Sequence, residues 1–498
     1  MRPSISTSAL ALALPAILAA NTPALAHGTE RAMVMLLPTG YYKLGAALAV
    51  AASFLVLLAL PDRLFQRMAQ ARLRLFAMPA RTAAITSATS TTGAAGTTST
   101  LAFLLLAALV AAGRWGTADP LENPLPLFVW VFWWVMLATV QALTGNLWRH
   151  LNPWSGPLAI LRRLTGFNIG RTPLLPMPEA IGQAPALILF FGFAWFELVS
   201  LAPEDPPGLA MVVAVYWVLT LGAMIVFGED IWSLRGEPFS IYFRMIGMLS
   251  PFCRETASPR PATRAAHRQT LAVTWPGQAC LDRPPPPLGA ALLILLSLGT
   301  AAFDGFSETF TWLGAIGVNP LDFPGRSGVT GANTIGLIIA PLLLGGLYTA
   351  SVFAGAWIAG ERSVTTIIRL ARHLVYSVLP IAVAFHAAHY LTLMLVNGQY
   401  LMAVLSDPFG LGWNLFGTAH WHVTTSFLTN LDGAKKVWIA QTAIIVTGHC
   451  LGILLAHMIA LRHFGTGRRA ARSQVFLALA MVFYTVFGLW LLSTPSAG

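Results

Sequence analysis

Ten apolar blocks, each about 20 residues long, recur along this chain and restrict its fold more than any other feature of the sequence. A block of that length can cross a hydrocarbon core of about 30 Å as an α-helix. A soluble domain usually carries about 25% charged residues, whereas this chain has 10% charged and 56% hydrophobic residues. The sequence therefore predicts an all-α polytopic membrane protein. Its predicted transmembrane helices lie near residues 41–60, 99–113, 125–147, 184–203, 208–228, 287–306, 334–359, 374–398, 437–461 and 474–493.

The first 26 residues have the pattern of a secretory signal peptide. Arg2 gives a weakly positive start, an Ala/Leu-rich stretch follows, and Ala24-Leu25-Ala26 matches the small-x-small rule for the cleavage site. We predict cleavage after Ala26, which makes His27 the first residue of the mature protein; an uncleaved segment would be a short anchor. N-terminal sequencing of the purified protein should begin at His27, and any other start would contradict the prediction.

Arginine clusters in every second connection between the apolar blocks. An excess of Lys and Arg marks the cytoplasmic connections of membrane proteins, and a secreted N-terminus places the five arginine-rich connections in the cytoplasm. Lys435 and Lys436 are exceptions on the outer side. The net charge of +11 follows this topology, so it does not indicate nucleic acid as a partner. We expect a multi-pass protein of the bacterial inner membrane, with both mature termini in the periplasm and the lipid bilayer as its surroundings.

Two segments between the blocks have a different composition. Residues 82–98 are rich in Ala, Ser, Thr and Gly, which predicts a flexible lead-in to the second span. Residues 251–286 are rich in Pro and Arg, which predicts a cytosolic linker. The linker divides the mature chain into a first helical half of five spans, 27–250, and a second of five spans, 287–498.

Two pairs of ionisable residues lie within or at the end of predicted spans, where charge is costly and usually functional. His386 and His389, in the eighth span, are three residues apart, so both imidazoles share one helix face. Asp304 and Glu308, at the outer end of the sixth span, are four residues apart and also share a face. By the direction of the spans, both pairs belong to the outer half of the bundle.

Glu197 in the fourth span and His449 in the ninth extend this set. A single charged group in hydrocarbon costs several kcal/mol of free energy. The free-energy cost of burying these six side chains is therefore lowest if they share a metal, a proton or a water cavity. Imidazole and carboxylate ligands suit Zn, Fe, Mn or Cu. The alternative is structural: histidines can hydrogen-bond between helices, and carboxylates near a span end can face water.

Three further histidines lie outside the spans. His27, as a free N-terminus, would offer its amine and its imidazole to one metal ion, most often copper. His420 and His422 flank Trp421 in a long outer loop, 399–436, and alternate residues of an extended segment point the same way. They are candidate metal ligands, although Trp421 is also typical of a membrane interface.

Several catalytic motifs do not occur in the sequence. We find no Walker A loop, Rossmann glycine pattern, GxSxG elbow or CxxCH haem attachment. Acting alone, the chain therefore lacks the motifs of an ATPase, a dehydrogenase, a serine hydrolase or a c-type cytochrome.

Six segments carry a likeness to known proteins. They are Ala26-His27-Gly28, Asn152-Pro153-Trp154, 236–243, Phe303-Asp304-Gly305, 378–399 and 406–419, of which 378–419 is the most specific. They resemble a family of bacterial integral membrane proteins labelled fenitrothion hydrolase. The resemblance implies hydrolysis of an organophosphate triester with release of a phenol, and it implies no particular catalytic residues.

Three functions remain open at this stage. In the first, a divalent metal and the carboxylates Asp304, Glu308 and Glu197 hydrolyse a small apolar ester. In the second, His386 or His389 together with His449 bind haem b in a redox subunit that handles quinone. In the third, the histidines serve a transporter or a copper-handling protein. A partner subunit is not identifiable from the sequence.

Overall fold

All ten predicted spans are helical in the computed structural model, which describes residues 34, 36–78, 94–256, 269–319 and 325–494. Within these residues, ten helices are long and apolar enough to cross a membrane. They are Thr39–Ala59, Gly96–Trp115, Pro124–Thr144, Glu179–Leu198, Pro206–Phe227, Leu288–Ser307, Thr330–Ile358, Val364–His389, Leu431–Phe464 and Gly467–Ser493. The chain is an all-α multi-pass membrane protein, as predicted. The predicted signal peptide and His27 lie outside the described residues.

The arginine-rich connections lie together at one end of the bundle, called here the arginine end. Four contacts join them: Arg72 to Asp282 at 3.3 Å, the Gly467 amide to Asp62 at 3.1 Å, Arg469 to the Ala359 carbonyl at 3.0 Å, and Arg235 to the Met177 carbonyl at 3.2 Å. Lys43, at the start of the first span, donates to Ser493, at the end of the tenth, at 3.4 Å. The first span therefore begins, and the tenth span ends, at the opposite end of the bundle, as an even number of crossings requires.

The arginine rule predicts that the arginine end faces the cytoplasm. A reporter fused after Gly498 should therefore read as external, and one inserted after Gly465, between the ninth and tenth spans, should read as cytosolic. The two fusions control for each other: they would give the same reading if the tenth span did not cross the membrane, and an odd error in the number of earlier spans would exchange the two readings.

The third span contains an unusually wide helical segment. Residues Phe128–Met136 form a π-helix between the α-helical segments Pro124–Leu127 and Leu137–Thr144. A π-helix is rare and frequently occurs at functional sites, because it displaces the backbone from the regular hydrogen-bond pattern. Here it carries Trp130 and Trp134 into the centre of the bundle, where both are buried.

A short helix after the fifth span lies in the core of the bundle. The chain turns at Gly228, whose φ of 93° favours glycine. Helix Pro238–Ile246 is then almost wholly buried and contacts the fourth, sixth and eighth spans. Burial is tolerated because the fully buried Glu237 carboxylate caps the helix, accepting from the amides of Phe239 and Ser240.

A small antiparallel sheet at the arginine end is absent from the sequence prediction. Its strands are β1, Leu73–Met78, β2, Phe252–Thr256, and β3, Gln269–Val273, with β3 in the middle. Phe252 and Leu73 both pair with Val273, and the pairing of β1 with β3 shifts by one residue between Arg74 and Phe76. The predicted linker 251–286 is therefore tied to the first connection through β3.

The eighth span is broken at the site described below. Helix Val364–Leu374 is amphipathic and carries Arg369 and Arg372, which are costly in hydrocarbon. The apolar crossing therefore consists of Leu379–His389 followed by Leu391–Val404, in agreement with the predicted 374–398. The helix is interrupted at Tyr390, where φ is −93° and ψ is 12°.

Candidate functional site

A cavity of about 250 Å³ opens at the end of the bundle opposite the arginine end. Ligand pockets span roughly 300–1,000 Å³, so this one suits a small molecule. About half of its lining residues are apolar, with Leu121, Leu127, Trp130 and Leu393 among them. Its polar lining residues are Glu197, Glu204, Asp304, Glu308, Arg326, His389, Tyr390, Thr392, Asn397 and Gln441.

Asp304 is the centre of a hydrogen-bonded group on the cavity wall. Its Oδ2 atom lies 2.8 Å from His389 Nε2 and accepts from the Tyr390 hydroxyl, also at 2.8 Å. His389 and Tyr390 are adjacent in sequence. Both reach the same carboxylate because the helix is interrupted at Tyr390, which turns its side chain toward Asp304. The side chains of His389 and Asp304 are 9% and 16% exposed, so water competes little for this contact.

Glu197 joins the group through the same tyrosine. The Tyr390 hydroxyl lies 3.3 Å from Glu197 Oε1, longer than its contact with Asp304. The hydroxyl has a single hydrogen and can donate fully to only one carboxylate at a time. Asp304 is therefore held by two close partners, whereas Glu197 keeps lone pairs that can accept another proton.

Arg326 fixes the end of the fourth span beside Glu197. Its guanidinium donates to the backbone carbonyls of Glu197 at 2.8 Å and Ser200 at 3.2 Å. It also lines the cavity, where it is the counter-charge to four acidic side chains. The lining therefore holds four carboxyl groups and one guanidinium.

The structure brings together four of the predicted site residues and separates the others. Glu197, Asp304, Glu308 and His389 all line the cavity. His386 Nε2 instead donates to the Trp134 carbonyl at 3.0 Å, and its ring packs edge-on against Tyr390. The prediction that His386 faces Asp304 and Glu308 is therefore wrong, because a carbonyl of the π-helix is available to satisfy the imidazole.

His449 is also placed differently from the prediction. Its Nδ1 atom lies 2.8 Å from the Ile445 carbonyl one turn earlier on its own helix, and it does not line the cavity. His420 and His422 are exposed in the outer loop and do not line the cavity. Within the described residues, no group of three or more His, Cys, Asp or Glu side chains could hold a metal ion.

Three residues of the site were missed by sequence reasoning. Tyr390 directly follows His389, and a tyrosine beside a histidine in a span was the available signal. Arg326 is the single basic residue between positions 308 and 329. Trp134 lies beside Glu197 and Tyr390 because the π-helix turns it inward, which no sequence pattern indicates.

Comparison with known proteins adds no assignment. No protein-family model, no curated protein and no solved structure matches this chain. The resemblance to fenitrothion hydrolase stays a prediction.

Proposed function

We propose that this protein is an integral inner-membrane hydrolase that cleaves a small, uncharged aryl ester, such as an organophosphate triester, in a cavity facing the periplasm. The arginine end supports this orientation, and the acidic site and the resemblance described above support the reaction class. The observation that carries the proposal is the Tyr390 hydroxyl shared between two carboxylates on the cavity wall.

The unequal hydrogen bonds of the two carboxylates assign their roles. Asp304, held by His389 and Tyr390, is a positioning residue that fixes the tyrosine. Glu197 is the general base, because it has the longer contact and the freer lone pairs. In the reaction, Glu197 takes a proton from water while the water oxygen forms a bond to phosphorus. The bond from phosphorus to the aryl oxygen then breaks, and Glu197 returns the proton to that oxygen as the phenol leaves.

The lining of the cavity supports an uncharged substrate. Apolar walls remove a greasy ester from water, while Glu197, Glu204, Asp304 and Glu308 outnumber Arg326. A neutral triester meets no repulsion there, whereas the anionic diester product does. The same charges that activate water therefore favour release of the product.

A resident divalent metal does not fit the described donor set, because no three ligands converge. The reaction is accordingly derived from the side chains of the chain alone. Metal analysis of the purified protein tests for a metal, and its absorbance near the haem Soret band tests the haem b alternative.

The proposal is tested by following nitrophenol release from a neutral nitrophenyl phosphotriester in proteoliposomes. The wild type should release nitrophenol, and Tyr390→Phe should be slower because the bridge between Asp304 and Glu197 is lost while the ring is retained. Tyr41→Phe, an exposed tyrosine of the first span, is the matched control and should be unchanged. Absence of turnover by the wild type across neutral aryl phosphate and carboxylate esters would overturn the proposal.

A further inference from the structure

Arg326 is held at the end of the fourth span by a single nitrogen of its guanidinium. Nη1 donates to the backbone carbonyls of Glu197 at 2.8 Å and of Ser200 at 3.2 Å, at the end of helix Ala184–Leu198. Carbonyls at the end of a helix carry partial negative charge and have no partner within the helix. Arg326 therefore caps the fourth span, and the cap fixes the position of the guanidinium.

The other nitrogens of this guanidinium are available to a ligand. A guanidinium has five N–H donors in a fixed fork, and both hydrogen bonds to the carbonyls come from Nη1. Nε and Nη2 have no hydrogen-bond partner among the described residues. Because Arg326 is exposed and lines the cavity, these donors are accessible to a molecule bound there.

The neighbouring carboxylates do not occupy these donors. Arg326 lies close enough to Glu197 and Asp304 to act on their charges, yet it forms no ion pair with either of them within the part of the chain that the structure describes. Asp304 pairs with His389 instead, and the Glu197 carboxylate faces Tyr390. Glu197 thus joins two functions, because its carbonyl binds the cation while its carboxylate is the proposed base.

A cation at this place suits the hydrolysis of a phosphotriester. As water adds to phosphorus, negative charge develops on the phosphoryl oxygen. Donors that are already in position around that oxygen stabilise the transition state more than the ground state. A guanidinium keeps its protons throughout the physiological pH range, so it supplies charge and hydrogen bonds without exchanging a proton. Its planar fork also matches the spacing of phosphate-type oxygens.

We propose that Arg326 is a catalytic residue that binds the phosphoryl oxygen of the substrate through Nε and Nη2 while Glu197 takes the proton from water. This inference rests on the proposed hydrolysis and narrows its substrate class. Triesters with a phosphoryl oxygen are preferred over their thiophosphoryl counterparts, because sulfur is a weak hydrogen-bond acceptor. The bonds that form and break are those given for the hydrolysis; Arg326 exchanges no proton, and no electron is transferred.

The test compares a neutral nitrophenyl dialkyl phosphate with its phosphorothioate, in which sulfur replaces only the phosphoryl oxygen. Wild-type protein in proteoliposomes should prefer the phosphate more strongly than hydroxide does in free solution. In Arg326→Gln, kcat on the phosphate should fall by about 10²- to 10³-fold, the usual cost of losing one oxyanion donor. The kcat on the phosphorothioate should fall much less, so the preference should approach that of hydroxide.

Two further variants separate contact with the substrate from a structural role. Arg326→Lys keeps the charge without the fork and should retain more of the preference than Arg326→Gln. Arg235→Gln is the matched control, because Arg235 also anchors backbone carbonyls, those of Met177 and Gly182, but does not line the cavity. It should keep the wild-type preference. Loss of a purely structural cap would displace Glu197 and slow both esters equally.

Either of two results overturns the role of Arg326. One is an equal loss on both esters in Arg326→Gln, with a melting temperature that shows the variant to be folded; Arg326 would then be a helix cap alone. The other is a wild-type preference no greater than that of hydroxide, which needs no variant. If the wild type hydrolyses neither phosphorus ester, the role of Arg326 fails, and the aryl carboxylate esters decide whether the proposed hydrolysis fails with it.

Discussion

Replacing Glu197 with glutamine is expected to lower hydrolysis of a neutral aryl phosphotriester by about 10²- to 10⁴-fold, the usual contribution of a general base. Glutamine has nearly the same size and can still accept a hydrogen bond from Tyr390. It cannot take a proton from water, so the loss should appear in kcat. Initial rates of nitrophenol release over a range of substrate concentrations separate kcat from KM.

Glu179→Gln is the matched control for this change. Glu179 lies at the other end of the same span, where its side chain is exposed. This variant should hydrolyse at the wild-type rate. A wild-type rate in Glu197→Gln would show that another group, such as Asp304 or Glu308, activates the water.

Replacing Gly355 with valine should destabilise the protein by about 3 kcal/mol, the upper end of the usual cost of overpacking. A Cβ atom at Gly355, in the seventh span, would overlap the carbonyl oxygen of Ser473 in the tenth span and lie 2.8 Å from its carbonyl carbon. The obstacle is backbone, which cannot rotate away as a side chain can. Thermal unfolding of the purified variant measures the loss.

Gly346→Val serves as the control on the same helix. A Cβ atom at Gly346 meets nothing within 4 Å, and the residue is exposed. Both variants replace a helical glycine with valine and carry the same helix-propensity cost. The difference between their melting temperatures therefore measures the effect of the close approach of the seventh and tenth spans. Equal melting temperatures would contradict the packing described here.

The transmembrane helices and their connections were predictable because hydrophobicity and arginine content are local properties of the sequence. A block of about 20 apolar residues is sufficient to form a span whatever it packs against. The helix Pro238–Ile246 and strand β1 were not predictable in this way. Each is too short for its composition to distinguish it from a loop, and each forms because distant residues cover it.

The candidate site was predictable in part, and the reason is energetic. Asp304, His389 and Glu197 were expected to meet because isolated charges within a membrane are costly. The same argument failed for His386 and His449, because it assumes that imidazoles need side-chain partners. The His386 imidazole instead hydrogen-bonds to a carbonyl of the π-helix, and the His449 imidazole hydrogen-bonds to a carbonyl of its own helix. Which backbone atoms are free depends on helix geometry, which the sequence does not specify.

The buried helix Pro238–Ile246 constrains the biosynthesis of the protein. The helix leaves the ribosome when only the first five spans exist, yet it packs against the sixth and eighth. Because the ribosome adds about 5–20 residues per second, the apolar surface of this helix stays uncovered for on the order of ten seconds until the eighth span has been synthesised. A chain stopped near residue 250 would keep that surface uncovered, as a target for membrane quality-control proteases. The first five spans should therefore accumulate only when the remaining five are produced with them.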